Sequence, residues 1–381
     1  TEISGLLGIE VKAQQVVKIL KALCFDVVIS GETLTVVVPG FRTDVENYTD
    51  LAEEVIRYYG YDNIQSTFMA TARPTVGGYG DKQENVEALK DLLCGYGAYE
   101  IMTYGFINRK QVDMLLLPQD SPLRAMIEIK NPLSEEYAVM RTQLVGSMLK
   151  VVYNNTNRKN ESFRLFEIAR TFRPQSLPLT ELPNERLTLS IALTGADEGF
   201  YALKEIVGDI LHKFGVCYTM DYSKQSWLHP GISADILTDD TIIGSFGKVH
   251  PKVMEAFGIH IDTYMAEIDL ETFIGTRIAT KIYQPLPKFP AVNRDLAVLI
   301  DDAVPVGHMI EAIRNAAGCL CEQVELFDIY KGAQIDADKK SVAFSLAFRA
   351  KDRTLNDAEV QTVMNAIVQS LENAFGAQLR M

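Results

Sequence analysis

From residue 290 onward the hydrophobic period switches repeatedly between two and 3.6 residues, in an order that few folds tolerate. RDLAVLI alternates as a strand does, and VGHMIEAIRNAAG carries the stripe of an amphipathic helix. EQVELFDIYKG and KSVAFSLAFRA are two further alternating strands. NDAEVQTVMNAIVQSLENAFG is a second helix, and AQLRM a short last strand. Asn356 and Glu359 have the spacing of a capping box at the start of that second helix. The order β-α-β-β-α-β predicts a ferredoxin-like split βαβ domain.

That domain leaves nearly 300 residues ahead of it. A chain of 381 residues suits two or three domains rather than one. Two Pro/Gly-rich breaks, TARPTVGGYGDKQ and QPLPKFP, divide it into blocks of 1–72, 73–283 and 284–381. In the first block VKAQQVVKILKALCF places Val16, Ile19, Leu20 and Leu23 on one helical face. DVVIS and LTVVVP follow as two strands, and a second helix carries Ala52, Val55, Ile56 and Tyr59. Asn47 and Asp50 resemble a capping box at its start. In the middle block, helices near ENVEALKDLLCGYG and FYALKEIVGDILHKFG flank the strand patterns YEIMTYGFI, FRLFEIARTF and LTLSIALTG. This predicts an α+β domain on a mostly antiparallel sheet, so the whole chain is expected to be α+β and multidomain.

Bulk properties narrow the function classes. No apolar run reaches the roughly 18 residues of a membrane span, so no membrane partner is expected. The five cysteines are scattered and never C-x-x-C, which argues for a reducing, cytoplasmic setting without a zinc site. A net charge of −13 excludes a protein that coats nucleic acid through bulk charge. A chain opening at Thr1 rather than Met is expected to be a fragment or a processed product.

Among the chemical signals, FRTDVENYTDLAEEVIRYYGYDNI stands out. Asp50, Glu53 and Glu54 fall at i, i+3 and i+4 on one helical face, and Asp44 lies in the loop just upstream. Acids favour a helix N-terminus, and spacing alone favours that reading. Clustered carboxylates also suit a hard divalent cation, and without EF-hand spacing magnesium is the better candidate. Nucleophilic catalysis has little support: the histidines form no H-E-x-x-H pair and no G-x-S-x-G elbow occurs. GGYGDK lacks phosphate-loop spacing, and His250 before Pro251 reads as a turn. Arg164 and Glu167, three apart on a strand, project to opposite faces; Arg141 and Arg164 are expected in structural ion pairs or interface contacts. In the last block, basic residues (Arg294, Lys331, Arg349, Lys351, Arg353) interleave with Phe327, Tyr330, Phe344 and Phe348. That pattern suits single-stranded RNA, although alternate aromatics must also fill the core.

Three long stretches together resemble the family of bacterial phenylalanine–tRNA ligase β subunits, from the middle of the subunit to its C-terminus. LLGIEV with VPGFRTDVENYTDLAEEVIRYYGYDNI is similar to its winged-helix-like module. KNPLSEEYAVMRT, NRKNESFRLFEIARTF, WLHPGISADI and GSFGKVHPKVMEAF are similar to its class II synthetase-like core. PKFPAVNRDLAVLIDDAVPVGHMIEAIR, VELFDIYKG and FRAKDRTLNDAEV are similar to its ferredoxin-fold anticodon-binding domain. The resemblance covers essentially the whole chain. It departs at Gly146, where the family often has Pro, and at Ile232, where it often has Arg.

The resemblance implies an (αβ)₂ heterotetramer that uses ATP to attach phenylalanine to its tRNA. It implies that the α subunit binds ATP and carries the active site, while the β core buttresses α without catalytic residues. The C-terminal domain is then expected to grip the tRNA anticodon region through Arg294, Lys331, Arg349, Lys351 and Arg353. Asp44, Asp50, Glu53 and Glu54 map onto the family's magnesium ligands, the ion being shared with the α subunit. A silent core agrees with the strand spacing, because class II motif 2 needs an Arg and a Glu two apart on one strand face, not three. The family's N-terminal tRNA-binding and editing modules precede the point where this chain begins, so the chain is expected neither to edit nor, alone, to aminoacylate. Two other readings stay open: a stand-alone RNA-binding scaffold built on these folds, and a magnesium-dependent phosphoryl or nucleotidyl transferase centred on the four acids.

Overall fold

The computed structural model describes residues 2–31, 33–67, 77–275, 283, 285–332, 335–336 and 338–380. Of the two expected breaks, residues 71–76 and Gln284 lie outside the described residues. The chain forms two compact units, residues 1–78 and 79–381.

The first unit contains α1 (Glu2–Leu7), α2 (Ala13–Ala22), the hairpin β1 (Asp26–Ser30) and β2 (Thr33–Val37), and α3 (Tyr48–Tyr59). Val16 and Leu20 of α2 pack with Phe25, Val27 and Val55 in a small core, so the expected helical stripes do face inward. The loop after β2 turns into α3 through a reciprocal cap. Asn47 Oδ1 accepts from the Thr49 N–H at 2.8 Å, and Asp50 Oδ2 accepts from the Asn47 N–H at 2.9 Å. The Asn47–Asp50 capping box expected from sequence is therefore present.

The second unit begins with α4 (Asp81–Gly95), β3 (Tyr99–Glu100), β4 (Phe106–Ile107), α5 (Gln111–Met114), β5 (Val139–Met140) and α6 (Val145–Thr156). It continues through β6 (Phe163–Arg173), β7 (Asn184–Thr194), α7 (Phe200–Lys213), β8 (Thr219–Tyr222), β9 (Leu228–Thr238), β10 (Thr241–Val249), α8 (Pro251–Phe257) and β11 (Thr263–Asp269). Seven of these strands form one sheet in the order β3-β6-β7-β11-β10-β9-β8, with every neighbour antiparallel except β3 on β6. One face packs Phe166, Ile191, Phe246 and Ile268 beneath α4 and α7. The other face is divided. Its apolar half, with Leu165, Ala192 and Met265, lies under Met148, Leu149 and Val152 of α6 and Val253 of α8; its polar half is described below.

The stretch YEIMTYGFI, expected as one strand, is broken. Only Tyr99–Glu100 and Phe106–Ile107 pair, because Thr103 turns away to donate both its N–H and its hydroxyl to Glu167. Satisfying a buried carboxylate outweighs strand propensity there. His250, expected in a turn, caps α8: its Nδ1 accepts from the Lys252 N–H, and Pro251 occupies the first helical position.

The chain ends with β12 (Val292–Asp301), α9 (Val306–Ala317), β13 (Cys321–Tyr330), β14 (Lys339–Phe348), α10 (Asp357–Phe375) and β15 (Gln378–Leu379). The sheet order β13-β14-β12-β15 with two helices is the expected β-α-β-β-α-β topology. Leu296, Val298, Phe344 and Leu346 face Met309, Ile313, Ile367 and Leu371 of the helices. The Asn356–Glu359 capping box is present, with Asn356 Oδ1 2.9 Å from the Glu359 nitrogen.

Gly247 in β10 has φ +155°, and a Cβ there would lie 2.6 Å from the Ser233 Cα of β9. Gly247→Ala should therefore cost about 2–4 kcal/mol by urea unfolding, from combined backbone strain and overpacking. Gly95→Ala, at the end of α4 with open space around its Cβ, should instead be neutral or stabilising by up to about 1 kcal/mol.

Candidate functional site

Two places gather chemistry. The first is the start of α3. The Arg42 guanidinium donates from Nε to Asp44 Oδ1 at 2.9 Å and from Nη2 to Asp44 Oδ2 at 2.6 Å; the same Nη2 lies 2.9 Å from Glu54 Oε1. Arg57 holds the other oxygen of Glu54. Glu54 is only 7% exposed, so its charge requires these partners. Arg42 holds the Asp44 carboxyl down at about 2, and it also lowers that of Glu54. Asp50 is lowered as well, by the Glu46 and Asn47 backbone N–H groups that its Oδ2 accepts. Glu53 is exposed and, among the described residues, its side chain makes no hydrogen bond or ion pair.

So the four expected magnesium ligands share one helix start, but three of them are already engaged. Asp44 and Glu54 converge on a guanidinium nitrogen, and Asp50 serves the helix cap. Their oxygens are chemically right for magnesium. As folded here they do not fit it, and among the described residues no group of three or more His, Cys, Asp or Glu is arranged to hold a metal ion. The sequence reading gave Arg42 and Arg57 no part in this cluster. The signal was available in R-T-D, where a turn brings a guanidinium beside the carboxylate two residues on.

The second place is the polar half of the seven-stranded sheet. The strand registers set Glu167, Ser190, Glu267, Ser245, Asp235 and Asp221 side by side in one row across β6, β7, β11, β10, β9 and β8. Such a row could serve acid–base or metal chemistry if its carboxyls were open. Most of them are closed by the protein itself. Arg141 Nη1 pairs with Glu167 Oε1 at 3.1 Å, both side chains being at most 5% exposed. The N–H groups of Leu144 and Val145, at the N-terminus of α6, donate to Glu267 Oε2 at 2.6 and 3.1 Å. Ser245 donates to Asp235 at 2.7 Å, and in the next row Arg186 holds Asp269. Arg164, on the opposite face from Glu167, pairs with Glu198 at 2.6 Å and donates to the Tyr96 carbonyl. Arg141 and Arg164 thus make the structural ion pairs expected of them. Glu267, Asp235 and Arg186 went unnoticed in sequence, since only strand register brings them together. Gly146 also finds a reason: any Cβ there would run into the Gln111 amide.

In the C-terminal block four of the five expected RNA contacts are ion-paired. Arg294 holds Asp357 at 2.7 Å, Arg349 holds Glu322 at 2.8 Å, Arg353 holds Glu359 at 2.6 Å, and Lys331 holds Asp302. Lys351 is exposed and makes no ion pair among the described residues. Phe344 and Phe348 are wholly buried in the core, whereas Phe327 (57%) and Tyr330 (38%) are exposed on β13. Arg380 lies over the Tyr330 ring at 5.5 Å.

Comparison with known proteins defines the class first. A tRNA synthetase B5 domain matches residues 1–61, and a ferredoxin-fold anticodon binding domain matches residues 287–380. Between them, the phenylalanyl tRNA synthetase beta chain CLM domain matches residues 64–270. The chain belongs to the phenylalanyl-tRNA synthetase β-chain family. It is 38% identical to the phenylalanine–tRNA ligase beta subunit of Clostridium tetani, over 98% of this chain and 47% of that one. Identity is 35% with that of Clostridium acetobutylicum (99% and 48%) and 32% with that of Bacillus subtilis (100% and 48%). The chain spans about half the length of these curated relatives. Among the described residues no helix is long and apolar enough to cross a membrane.

Three outcomes follow for the sheet. Glu167→Ala should cost about 3–5 kcal/mol in urea unfolding, because it strands a buried guanidinium; Arg164→Ala, at a more exposed pair, should cost about 1 kcal/mol or less. Enclosure raises the Glu267 carboxyl from 4.5 to about 7, against the pull of the α6 N–H groups. Its folded-state value lies above the unfolded one, so its contribution is full below pH 4.5 and is lost as pH rises through about 7. Glu267→Gln should flatten that part of a stability–pH profile.

Proposed function

We propose that this chain is the non-catalytic β subunit, or the part of it spanned here, of a phenylalanine–tRNA ligase. In this reading it supports an α subunit that binds ATP and attaches phenylalanine to tRNA within a cytoplasmic (αβ)₂ enzyme. Residues 1–72 form a winged-helix-like module, 73–283 a class II-like core, and 284–381 an anticodon-binding domain. The observation that carries the non-catalytic part is the self-paired sheet row. Glu167, Glu267 and Asp235 each accept hydrogen bonds from the protein's own groups, and Arg141 is spent on Glu167 rather than left for a phosphate.

The tRNA contact falls to Arg294, Lys331, Arg349, Lys351 and Arg353. Their ion pairs do not oppose that role, because exposed pairs contribute only about 0–1 kcal/mol and can exchange a carboxylate for a phosphate. Lys351 needs no such exchange. Exposed Phe327 and Tyr330 supply stacking surfaces beside them. On the resemblance alone, Asp44, Asp50, Glu53 and Glu54 are assigned as magnesium ligands shared with the α subunit.

ATP–pyrophosphate exchange with phenylalanine tests the reading. The chain alone should be silent, and the chain mixed with a cognate α subunit active; activity alone would overturn the supporting role. In the assembled enzyme, Lys351→Ala should weaken tRNA association and lower the slope of log K against log salt by about one. An unchanged slope would move the contact elsewhere.

A further inference from the structure

A cavity of about 700 Å³ lies in the second unit, between the outer edge of the seven-stranded sheet and one side of α9. β8 is the last strand of that sheet, and its consecutive residues Thr219–Tyr222 all line the cavity, so its backbone edge faces the space as well as its side chains. Such an edge presents alternating N–H donors and C=O acceptors. Phe200, Val216, Met220 and Ile310 give the cavity an apolar lining. Lys204, Asp221, His308, Glu311 and Arg314 line it too, and among the described residues none of these five side chains is in an ion pair. Arg141, Arg164, Arg186 and Lys248, in the same unit, each hold an acid. Asp221 Oδ1 accepts from the neighbouring Tyr222 N–H at 2.7 Å, and the Tyr222 ring is 56% exposed.

Unpaired charges beside apolar walls focus the local field and favour a ligand that answers them. A wholly apolar ligand would cover them without partners, at a cost in free energy. A bare anion would meet Lys204, His308 and Arg314 but leave the apolar lining and the strand edge in water. We propose that this cavity between β8 and α9 is a nucleotide-binding site. The phosphate meets Lys204, His308 and Arg314. The base lies against Tyr222 and the apolar side chains, its polar edge turned to the β8 backbone. Glu311 and Asp221 accept from ribose hydroxyls or a base amino group. The volume falls within the roughly 300–1,000 Å³ of sites for ligands of this size. A free mononucleotide and a nucleotide of bound RNA share this chemistry. The site lies wholly on this chain, so it stands whether or not an α subunit binds beside it.

Calorimetric titration of the whole chain with AMP tests the site. AMP should bind, and ribose 5-phosphate, which lacks the base, should bind about tenfold more weakly or worse, the loss of one stacked ring. Lys204→Ala and Arg314→Ala, on separate helices, should each weaken AMP binding about tenfold, the effect of one charge-assisted hydrogen bond. Tyr222→Ala should weaken AMP binding about tenfold and leave that of ribose 5-phosphate unchanged. Arg109→Ala, at an exposed pair outside the cavity, should change neither. Circular dichroism checks each fold, and either helix variant serves if the other fails to fold. Displacement of AMP by tRNA would make RNA the source of the nucleotide; AMP retained beside bound tRNA would make it a free one. Absence of AMP binding at millimolar concentration would overturn the proposal. So would ribose 5-phosphate binding as tightly as AMP, or an AMP affinity unmoved by Lys204→Ala, Arg314→Ala and Tyr222→Ala. None of these outcomes bears on ATP–pyrophosphate exchange with an α subunit, so failure here and failure of the supporting role are read separately.

Discussion

The Arg141–Glu167 pair is the contact on which the second unit's organisation depends. Glu167 sits mid-strand in β6 at 2% exposure, where an ionised carboxyl is tolerated only with full hydrogen bonding. It draws in Arg141, whose Nε also reaches the Arg170 carbonyl, and Thr103, whose hydroxyl links the two. These bonds tie the long irregular stretch between β3 and α6 to the sheet. Glu267, two strands further over on β11, then fixes the N-terminus of α6 through two backbone N–H groups. A helix start and a loop are thus placed by the charges of two strands.

The same economy of charge runs through both ends of the chain. At the start of α3, Arg42 and Arg57 answer Asp44 and Glu54. In the C-terminal sheet domain, Arg353 answers Glu359, which is itself half of the α10 capping box. The difference lies in exposure. Arg141 and Glu167 are out of water and fixed, whereas Arg294, Lys331 and Arg353 lie at the surface and Arg349 is partly exposed, donating also to the Phe289 carbonyl. Burial therefore separates bases fixed within the sheet from bases left beside solvent.

How much was legible follows the range of the forces involved. The β-α-β-β-α-β order, both Asn-led capping boxes and the stripes of Val16, Leu20, Ala52 and Val55 were readable, since each depends on neighbours a few residues apart. The interruption of YEIMTYGFI was not, because its cause, Glu167, lies 64 residues from Thr103. Helix α6, whose apolar residues were not read as a stripe, and the row through Ser190, Ser245 and Asp235 were invisible for a related reason. A strand's register against a distant strand has no signature in its own sequence.

By itself, then, the sequence determined the elements of the terminal sheet domain, the caps that start α3 and α10, and, through long motifs in order, the family. Tertiary structure alone decided what the charged residues do. Asp50, Glu53 and Glu54 share one face of a helical wheel, yet among the described residues only the Glu53 side chain of the three has no hydrogen-bond or ion-pair partner. Arg141 and Lys351 are both simply basic, yet one is locked inside the sheet and the other faces solvent. Local periodicity is set by backbone geometry, which a short segment carries with it. The state of a charge is set by its distance from water and from its counter-charge, and only the folded chain fixes those distances.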